Sequence, residues 1–484
     1  MLLGDLVPAD VSLPDGAHAI DIRGLSADSR NIARGYLFAA LSGTHTHGGR
    51  FVREAVAAGA VAILAGRDLE LDLAVPIVRA GDPRHALALM AARFHPRQPN
   101  HVVAVTGTSG KTTVADFTRQ IFSILGHPAA SIGTLGIVTG AGTAYGTLTT
   151  PDPVALHAAL DRLAWEGVTH VAIEASSQGL NQRRVDGLRI EAAAFTNLGR
   201  DHMDYHPTVE AYFAAKLRLF TEILPPSGTA VVDMDGARAS AVVTAAVARG
   251  QKVIRVGRAG DELKLLSLTP KDFRQKLTLR AFGATREVLL PVPGAFQASD
   301  ALVAVGLAVG AGVKIDDALE TLAKLTGAPG RLELVGSKSN GALIFIDYAH
   351  KPEALASVLK ALRPMTRGLL YVVFGAGGDR DTGKRPLMGK AAAENADVVI
   401  VTDDNPRSED PAVIRKAIVA AAPDAIEIGD RAVAVRRAVA MLGAGDVLCV
   451  AGKGHETGQI VGGRTIPFSD RGAVAEALAA EEAA

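Results

Sequence analysis

The stretch HVVAVTGTSGKTT, residues 101–113, decides the fold of the chain. It starts as a continuous apolar run, His101–Thr106, then turns through two glycines and ends on a lysine and two threonines. A helical pattern follows from Val114 to Leu125. A strand, a glycine-rich turn and a helix in this order allow backbone N–H groups and a helix N-terminus to bind phosphates. The sequence therefore predicts a phosphate-binding loop.

Two side chains of this loop carry the expected chemistry. Lys111 is placed to reach the β- and γ-phosphates of a nucleotide, and the Thr112 hydroxyl is placed to bind Mg²⁺. The strict form of the motif has a glycine where this chain has Val105. The alternative is a glycine-rich turn with a solvated lysine. The strand before the loop and the helix after it favour the phosphate site.

Further apolar runs along the chain stop abruptly at small or polar residues. Strands of this kind are buried on both faces, so they predict parallel sheets covered by helices. They are His170–Ile173, Ala193–Thr196, Ala230–Asp233, Leu343–Asp347, Leu369–Phe374, Val398–Thr402 and Val447–Val450. The stretch Leu263–Leu290 alternates apolar and polar residues, which predicts antiparallel strands at the edge of the middle domain.

Two stretches rich in proline and glycine, Phe94–Asn100 and Gly327–Gly330, predict domain boundaries in this 484-residue chain. The expected domains are residues 1–97, 98–330 and 331–484. We expect an α/β protein with a small mixed α/β N-terminal domain. A central domain with a P-loop ATPase-like, mostly parallel sheet and a C-terminal Rossmann-like α/β domain follow it.

Composition excludes several classes of protein. Lys and Arg number 51 and so do Asp and Glu, and a net charge of zero argues against a nucleic-acid partner. The single cysteine, Cys449, cannot form an internal disulfide, which favours the cytoplasm. The longest apolar run, Ala301–Val313, is shorter than the roughly 20 residues that span a bilayer. Met1–Asp10 also lacks the basic start of a signal peptide, so neither a membrane partner nor export is expected.

Polar residues follow two strands of the central domain. Glu174 lies at the carboxyl end of one strand beside the phosphate loop, where a carboxylate can hold Mg²⁺ directly or through water. A capping or solvated glutamate is equally compatible with the residues alone. The stretch 180–184, LNQRR, offers donors for an anionic or sugar ligand, although adjacent arginines more often form a solvated face.

The stretch 197–206, NLGRDHMDYH, follows another strand and holds two histidines, two aspartates and an arginine. Such a cluster indicates a metal or acid–base site. Its spacing matches no closed zinc site, and it has no thiolate. Lys216, on the helix that follows, is by default a surface lysine.

Four strands of the last segment end in charged loops. The loops are Asp347–Pro352, Phe374–Asp381, Thr402–Arg407 and Ala451–Glu456. Ligands of open α/β sheets bind at the carboxyl ends of the strands. A second ligand site is therefore predicted there.

Together these residues resemble the Mur ligase family, over essentially the whole chain. The phosphate loop is similar to the family's GTxGKTT variant, which accounts for Val105. Asp404-Asn405-Pro406-Arg407 resembles the motif by which the member specific for meso-diaminopimelate selects its amino acid. The resemblance implies an ATP-dependent ligase of peptidoglycan precursor synthesis. Its reaction would join meso-2,6-diaminopimelate to the D-glutamate of UDP-N-acetylmuramoyl-L-alanyl-D-glutamate through an acyl phosphate.

The resemblance also implies a role for each matching residue. ATP would be bound by Gly107, Thr108, Ser109, Gly110, Lys111, Thr112 and Thr113, and from the third domain by Arg331, Asp347 and His350. The UDP-linked substrate would contact Ala27, Ser29, Thr44, His45 and Thr46 at its UDP end and Thr149, Thr150, Ser176, Gln182 and Arg184 elsewhere. Diaminopimelate would contact Arg380, Asp404, Asn405, Pro406, Arg407, Gly452 and Glu456.

The implied catalytic residues are Lys111, Glu174, His202 and Lys216. Mg²⁺ would be held by Thr112, Glu174, His202 and Lys216, with Lys216 carbamylated by CO₂. One departure concerns the adenine, where the family has two asparagines and this chain has Gln297 and Asp300.

Physical reasoning supports the amino-acid assignment. meso-Diaminopimelate differs from lysine by one carboxylate, which Arg407 can pair bidentately, and lysine would leave that cation without its partner. The alternatives are a lysine-adding ligase of the same family, a folylpolyglutamate synthase, and a nucleotide-switch ATPase. The balanced charge speaks against the last. The partners expected are small molecules, and the chain is expected to be a monomer.

Overall fold

The computed structural model describes residues 1–43, 46–70, 72–146, 148–271 and 273–482. The chain forms two compact units. The first comprises Met1–Lys264 with Leu302–Ala318, and the second comprises Leu265–Ala301 with Leu319–Ala484. The division into domains at residues 97 and 330 stays a prediction. Both units are α/β, as predicted.

The first unit begins with a four-stranded parallel sheet. Its strands lie in the order β1 (Gly24–Ser26), β2 (Tyr36–Ala39), β3 (Ala60–Gly66) and β4 (Ile77–Ala80). Helices α1 (Leu3–Leu6), α2 (Val52–Ala57) and α3 (Pro83–Phe94) accompany it. Successive residues of a strand face opposite sides. Leu37 accordingly belongs to the apolar cluster on one face and Phe38 to the cluster on the other.

The larger sheet of this unit carries the phosphate loop. Its strands are β5 (His101–Thr106), β6 (Ala129–Gly133), β7 (Gly136–Thr139), β8 (Gly142–Ala144), β9 (His170–Glu174), β10 (Ile190–Phe195), β11 (Thr229–Asp233) and β12 (Lys252–Gly257), in the order β12-β11-β10-β5-β9-β6-β7-β8. All run in the same direction except β7, which pairs antiparallel with both β6 and β8. Each central-domain strand predicted from the sequence is present.

Five helices connect these strands. They are α4 (Lys111–Ile124), α5 (Pro153–Trp165), α6 (Ser177–Asn181), α7 (Val209–Arg218), which continues as a π-helical turn over Leu219–Ile223, and α8 (Ala239–Ala248). Helix α4 begins at Lys111 rather than at the predicted Val114. The reason is Gly110, which adopts the left-handed conformation (φ +87°) and turns the loop directly into the helix. The lysine and both threonines therefore belong to the first helical turn.

The alternating stretch forms β13 (Leu263–Lys271), β14 (Arg274–Ala281) and β15 (Ala284–Leu290), and the last two strands pair antiparallel, as predicted. Helix α9 (Ala295–Gly310) contains most of the longest apolar run, and α10 (Ile315–Thr321) follows. Gly306 lets α9 approach β11, because a Cβ there would lie 2.5 Å from Val231. Within the described ranges, no helix combines the length and apolarity needed to cross a bilayer.

The main sheet of the second unit has the order β16 (Glu333–Ser337), β17 (Leu343–Asp347), β21 (Val447–Ala451), β18 (Leu370–Phe374), β19 (Val398–Val401) and β20 (Ile426–Glu427). Only β16 is antiparallel. Its helices are α11 (Pro352–Leu362), α12 (Lys384–Asn395), α13 (Pro411–Val419), α14 (Arg431–Met441) and α15 (Asp470–Glu482), and β22 (Gly458–Val461) pairs with β23 (Arg464–Pro467) as a hairpin. Since β17, β18, β19 and β21 run parallel, the four charged loops lie at one edge of this sheet, as predicted.

Candidate functional site

The phosphate loop is held in shape by the end of β10. Thr196 Oγ1 donates to the Ser109 carbonyl at 2.7 Å. Asn197 accepts from Ser109 N at its side-chain oxygen (3.0 Å) and from Thr108 N at its carbonyl (2.9 Å). Lys111 Nζ donates to the carbonyls of Gly107 (3.0 Å) and Thr108 (2.9 Å). These bonds hold the loop in shape, and sequence reasoning gave Thr196 and Asn197 no role in it.

Gly107 cannot carry a side chain in this geometry. Its φ is +153°, and a Cβ would lie 1.9 Å from Thr196 Oγ1. We expect Gly107→Ala to displace the loop and to raise KM for ATP by roughly tenfold or more, since relieving such strain costs on the order of 1–3 kcal/mol. Steady-state kinetics measures it. Gly126→Ala is the matched control, because Gly126 also has a positive φ but nothing within 4 Å of its Cβ position. An unchanged KM for ATP in Gly107→Ala would contradict the prediction.

Glu174, at the end of β9, is 1% exposed and accepts hydrogen bonds beside the loop. Thr112 Oγ1 donates to its Oε2 at 3.1 Å, and Thr134 donates from its N–H (2.8 Å) and its hydroxyl (3.2 Å). Sequence reasoning missed Thr134. Its only signal was its position after β6, the strand next to β9.

The Glu174 carboxylate and the Thr112 hydroxyl fit Mg²⁺. Mg²⁺ prefers oxygen ligands, keeps several waters and binds through one or two carboxylates together with substrate phosphates. Among the described residues, no group of three or more His, Cys, Asp or Glu could hold a metal ion. The two oxygen donors suit an Mg²⁺ ion that is also bound by the phosphates of a nucleotide.

Lys216, on α7, is 1% exposed, so the expectation of a surface lysine was wrong. The helix turns this face to the phosphate loop, and Lys216 Nζ donates to the Gly107 carbonyl at 2.6 Å. The amine also lies 4.4 Å from the centre of the Tyr212 ring. Tyr212 in turn shares a 3.1 Å hydrogen bond with Thr108 Oγ1, and burial raises the pKa of Tyr212 to about 12. The amines of Lys111 and Lys216 thus reach the same carbonyl oxygen.

His202 lies near this group on the exposed side. Its side chain is 45% exposed, its φ is +53°, and its ring centre is 6.3 Å from that of Tyr212. His206 is buried instead, and its Nε2 lies 3.0 Å from Ser177 Oγ. Burial, followed by the nearby His202 and Lys216, lowers the pKa of His206. The metal-ligand role of His202 stays a prediction.

The residues assigned to the body of the UDP-linked substrate form one network beside Glu174. Thr150 Oγ1 donates to the Glu174 carbonyl at 2.7 Å, and Arg184 Nη1 donates to the Thr150 carbonyl at 2.7 Å. The remaining links join Thr150 to Ser176 (3.0 Å), Thr149 to Thr134 (3.0 Å), Arg184 to Gln182 (2.7 Å) and Gln182 to Tyr205 (3.1 Å). Sequence reasoning gave Tyr205 no role.

The residues assigned to the UDP end lie in the first sheet. Ala27 directly follows β1, and Ser29 begins the short turn after it. Thr46 accepts at its carbonyl from Gly43 N at 2.8 Å, in the segment that follows β2. Since β1 and β2 are parallel, these residues belong to one edge of that sheet. Thr44 and His45 lie outside the described residues.

In the second unit, Asn405 and Glu456 meet around Lys453, which is fully buried. Lys453 Nζ donates to Asn405 Oδ1 (3.0 Å) and to Glu456 Oε2 (2.9 Å), and Asn405 Nδ2 donates to the same Glu456 oxygen at 2.9 Å. The backbone N–H of Ile460 completes the set at Asn405 Oδ1 (2.9 Å). The orientation of the amide is therefore fixed, and Lys453, to which the sequence had assigned no role, belongs to this cluster.

Arg407 joins the loops after β18 and β19. It has a φ of +53°, its N–H donates to the Ile460 carbonyl at 3.0 Å, and its Nη1 donates to the Gly378 carbonyl at 2.7 Å. Asp404 and Pro406 are buried, Arg380 is exposed, and a Cβ on Gly452 would lie 2.5 Å from Asp404 Oδ2. The predicted diaminopimelate residues thus lie at one edge of the sheet.

A buried ion pair lies beneath these loops. Arg431 is fully buried and binds Asp470 through Nε (2.7 Å) and Nη2 (2.8 Å), and Nη2 also donates to the Ala451 carbonyl at 2.9 Å. Arg431 lies outside every motif found in the sequence and its partner Asp470 is remote in the chain, so no local signal could have identified it.

Asp347, His350 and Arg331 also lie together. Asp347 accepts from Leu332 N (2.6 Å) and Ala349 N (2.7 Å), and burial raises its pKa to about 6. The Arg331 guanidinium lies 4.5 Å from the centre of the Tyr348 ring. His350 Nδ1 donates to the Tyr348 carbonyl at 2.8 Å, and burial lowers its pKa to about 4. Gln297 is buried with no hydrogen-bond partner for its amide atoms in the described part of the chain, and Asp300 is buried nearby in sequence.

The low pKa of His350 makes stability depend on pH. On acidification the unfolded chain takes up this proton near its ordinary value of 6.5 and the folded chain only near about 4, so stability is full above 6.5 and falls between those values. Between pH 7 and pH 5 we expect the wild type to lose about 2 kcal/mol more unfolding free energy than His350→Asn. Denaturant unfolding at both pH values measures it. The raised pKa of Asp347 changes stability in the opposite direction, but Asp347 is present in both proteins and does not affect the comparison. Equal losses of unfolding free energy in the wild type and in His350→Asn would contradict the prediction.

Three family models match successive parts of the chain. The Mur ligase family, catalytic domain, matches residues 21–95, the Mur ligase middle domain matches residues 105–308, and the Mur ligase, glutamate ligase domain, matches residues 330–454. A UDP-N-acetylmuramoyl-L-alanyl-D-glutamate–2,6-diaminopimelate ligase of Bradyrhizobium diazoefficiens is 56% identical and covers 100% of both chains. The chain belongs to the Mur ligase family. Mur ligases are ATP-dependent enzymes that form amide bonds, so the predicted enzyme class is confirmed.

Other Mur ligases agree with this assignment. A protein of the same name from Brucella melitensis is 54% identical over 96% of each chain. The solved structure of another protein of that name superposes with a TM-score of 0.74 at 32% identity, covering 100% of this chain and 99% of its own. At 19% identity, a MurF ligase of Thermotoga maritima in complex with ADP (TM-score 0.64, 96% of this chain and 99% of its own) shows a shared fold.

Proposed function

We propose that this Mur ligase adds meso-2,6-diaminopimelate to the D-glutamate of UDP-N-acetylmuramoyl-L-alanyl-D-glutamate, as the names of its full-length relatives say of them. The observation that carries the choice of amino acid is the Asp404–Arg407 loop. Its Asn405 amide is fixed by Lys453 and Ile460, and its Arg407 guanidinium is held at the Gly378 carbonyl. A planar fork in that place suits a second carboxylate, which diaminopimelate has and lysine lacks.

The first step activates the glutamyl carboxylate. One carboxylate oxygen attacks the γ-phosphorus of ATP, the bond to the β–γ bridging oxygen breaks, and ADP leaves an acyl phosphate behind. The N-terminus of α4 and Lys111 neutralise the charge that develops on the transferred phosphoryl group. Thr112 and Glu174 would hold Mg²⁺, which supplies further neutralisation of phosphate charge when bound.

The second step forms the amide. The diaminopimelate amine attacks the acyl carbon, phosphate leaves, and the amine loses a proton. The pairing of Arg407 with one carboxylate orients the amine that reacts, which converts a bimolecular step into a positioned one. Exclusion of water protects the acyl phosphate from hydrolysis.

Lys216 is the proposed site of carbamylation. Its deprotonated amine would attack CO₂, forming an N–C bond with release of one proton. The amine is buried and lies against the phosphate loop, where a carbamate could act on a bound cation. We expect a carbamate signal in carbon-13 NMR of the enzyme equilibrated with labelled bicarbonate, and its loss in Lys216→Met. Lys252→Met is the control, because Lys252 is exposed. A signal of equal size in Lys216→Met would contradict the assignment.

The test of the proposed function is a mass-spectrometric assay of product from the UDP-linked dipeptide and ATP, with meso-diaminopimelate and lysine compared at equal concentration. We expect a product with diaminopimelate and strong discrimination against lysine. Equal use of lysine would favour the lysine-adding ligase instead. We further propose that the enzyme acts as a monomer in the cytoplasm, where its nucleotide substrates occur.

A folylpolyglutamate synthase or a nucleotide-switch ATPase would give a different result in the same assay. A folylpolyglutamate synthase of Mycobacterium tuberculosis shares the fold (TM-score 0.60, 19% identity, 76% of this chain and 92% of its own). Such an enzyme would add glutamate to a folate and leave the UDP-linked dipeptide unchanged. A nucleotide-switch ATPase would hydrolyse ATP without either amino-acid substrate.

A further inference from the structure

Arg183 occupies a backbone position that normally belongs to glycine. Helix α6 ends in a motif in which Arg183 N donates to Leu180 O at 3.2 Å and Arg184 N donates to Gly179 O at 2.8 Å. In this motif the first residue after the end of the helix adopts the left-handed conformation. That residue is Arg183, and its φ is +61°. Backbone strain of this kind persists where the surrounding structure holds it, and it points to a use for the side chain.

The Arg183 side chain binds carboxylates from two parts of the first unit. Its Nε donates to Asp82 Oδ2 at 2.9 Å, and its Nη1 donates to Glu222 Oε2 at 2.5 Å. Asp82 caps α3, because its other oxygen accepts from the N–H groups of Arg84 (3.2 Å) and His85 (3.1 Å). Burial acts to raise the pKa of Asp82, but the His85 N–H and the Arg183 charge outweigh it, and the pKa is lowered.

A second arginine completes the group. Arg218 donates from Nη2 to both oxygens of Asp186 at 2.6 Å and from Nε to Glu222 Oε2 at 2.7 Å, and His85 Nδ1 lies 2.7 Å from Asp186 Oδ2. We call Asp82, His85, Arg183, Asp186, Arg218 and Glu222 the α3 anchor. It joins α3, in the segment matched by the first family model, to residues of the segment matched by the middle-domain model.

Because of the left-handed turn, the side chains of the adjacent residues Arg183 and Arg184 contact different groups. Arg183 enters the α3 anchor, whereas Arg184 donates to Thr150 and Gln182 in the network assigned to the UDP-linked substrate. The left-handed turn at Arg183 therefore connects α3 to the groups that are proposed to bind the body of the UDP-linked substrate.

We propose that Arg183 is a positioning residue that fixes the distance between the two ends of the site for the UDP-linked dipeptide. This rests on the proposed function, in which Ala27, Ser29 and residues 44–46 bind the UDP end and the Thr150–Arg184 network binds the rest. A ligand held at both ends gains affinity through the effective concentration of its second contact, which falls when the two halves of the site are not held at the right span. A ligand that uses one end gains nothing from Arg183.

The test compares two ligands on the full-length Arg183→Gly variant by isothermal titration calorimetry. Glycine suits the left-handed position, so the variant removes the ion pairs without adding backbone strain. We expect the Kd of the intact UDP-linked dipeptide to rise at least about tenfold and the Kd of UDP alone to change less than about twofold. The Kd of a non-hydrolysable ATP analogue should also stay within about twofold.

Arg238→Gly is the matched control. Arg238 is also a left-handed arginine (φ +67°) that binds a carboxylate, Glu210 at 3.4 Å, and we expect no change in either Kd. Equal losses for UDP and for the intact substrate in Arg183→Gly would overturn the positioning role, and so would no loss at all. Failure of the wild type to bind the intact substrate would instead overturn the proposed function.

Discussion

Lys111→Ala is expected to lower kcat for amide formation by about 10³-fold, because it removes a cation aimed at the charge that develops during phosphoryl transfer. In the structure, Lys111 Nζ donates to the carbonyls of Gly107 and Thr108 in the phosphate loop. Coupled release of phosphate and the mass of the product measure the loss.

Two controls separate this chemical role from damage to the fold. Lys252→Ala removes an exposed lysine of the same unit and should leave kcat unchanged. The Kd of Lys111→Ala for the UDP-linked dipeptide should match the wild type, since Thr196 and Asn197 still hold the loop through bonds that do not involve Lys111. Amide formation at a near-normal rate by Lys111→Ala would contradict the proposed mechanism.

Arg407→Ala is expected to lower kcat/KM for meso-diaminopimelate by about 100-fold, because truncating one partner of a buried, hydrogen-bonded charge pair costs 2–5 kcal/mol or more. The value for lysine should change much less, since lysine has no carboxylate at that place. The selectivity between the two amino acids should therefore collapse. Arg407→Lys should give an intermediate result, because lysine keeps the charge without the planar fork.

Arg436→Ala is the comparison for Arg407→Ala, because Arg436 is an exposed arginine of the same unit. It should leave both kcat/KM values unchanged. If Arg407→Ala lowered kcat/KM equally for both amino acids, Arg407 would contribute to the shape of the loop rather than to the selection of the amino acid. An increase in KM for ATP in Arg407→Ala would also indicate that Arg407 contributes to the shape of the loop.

The sequence predicted the parts of the fold that rest on local patterns. Every apolar run assigned as a strand is one, because a strand buried on both faces needs an uninterrupted run of Val, Ile or Leu. Other strands were not predicted, and among them β16 is half-exposed and β20 is only two residues long. The start of α4 was placed too late, because the left-handed Gly110 leaves no pattern in hydrophobicity.

The site was predictable where its residues follow one another in the chain. The phosphate loop and the Asp404–Arg407 loop were both located from short motifs, and the family resemblance supplied roles that stay predictions. The burial of Lys216 and of Lys453 could not be read from neighbouring residues, since it depends on which helix face or loop packs against a distant segment. Arg431 and Arg183 illustrate the same limit, because their carboxylate partners lie elsewhere in the sequence.

The hairpin of β22 and β23 contacts the Asp404–Arg407 loop through main-chain atoms. The Ile460 N–H binds the Asn405 side chain, and the Ile460 carbonyl binds the Arg407 N–H. Every amino acid except proline supplies both groups. The hairpin can therefore accumulate side-chain substitutions over evolutionary time while the enzyme keeps its choice of amino acid. A change in the length of the hairpin would act on that choice, because it moves these backbone groups.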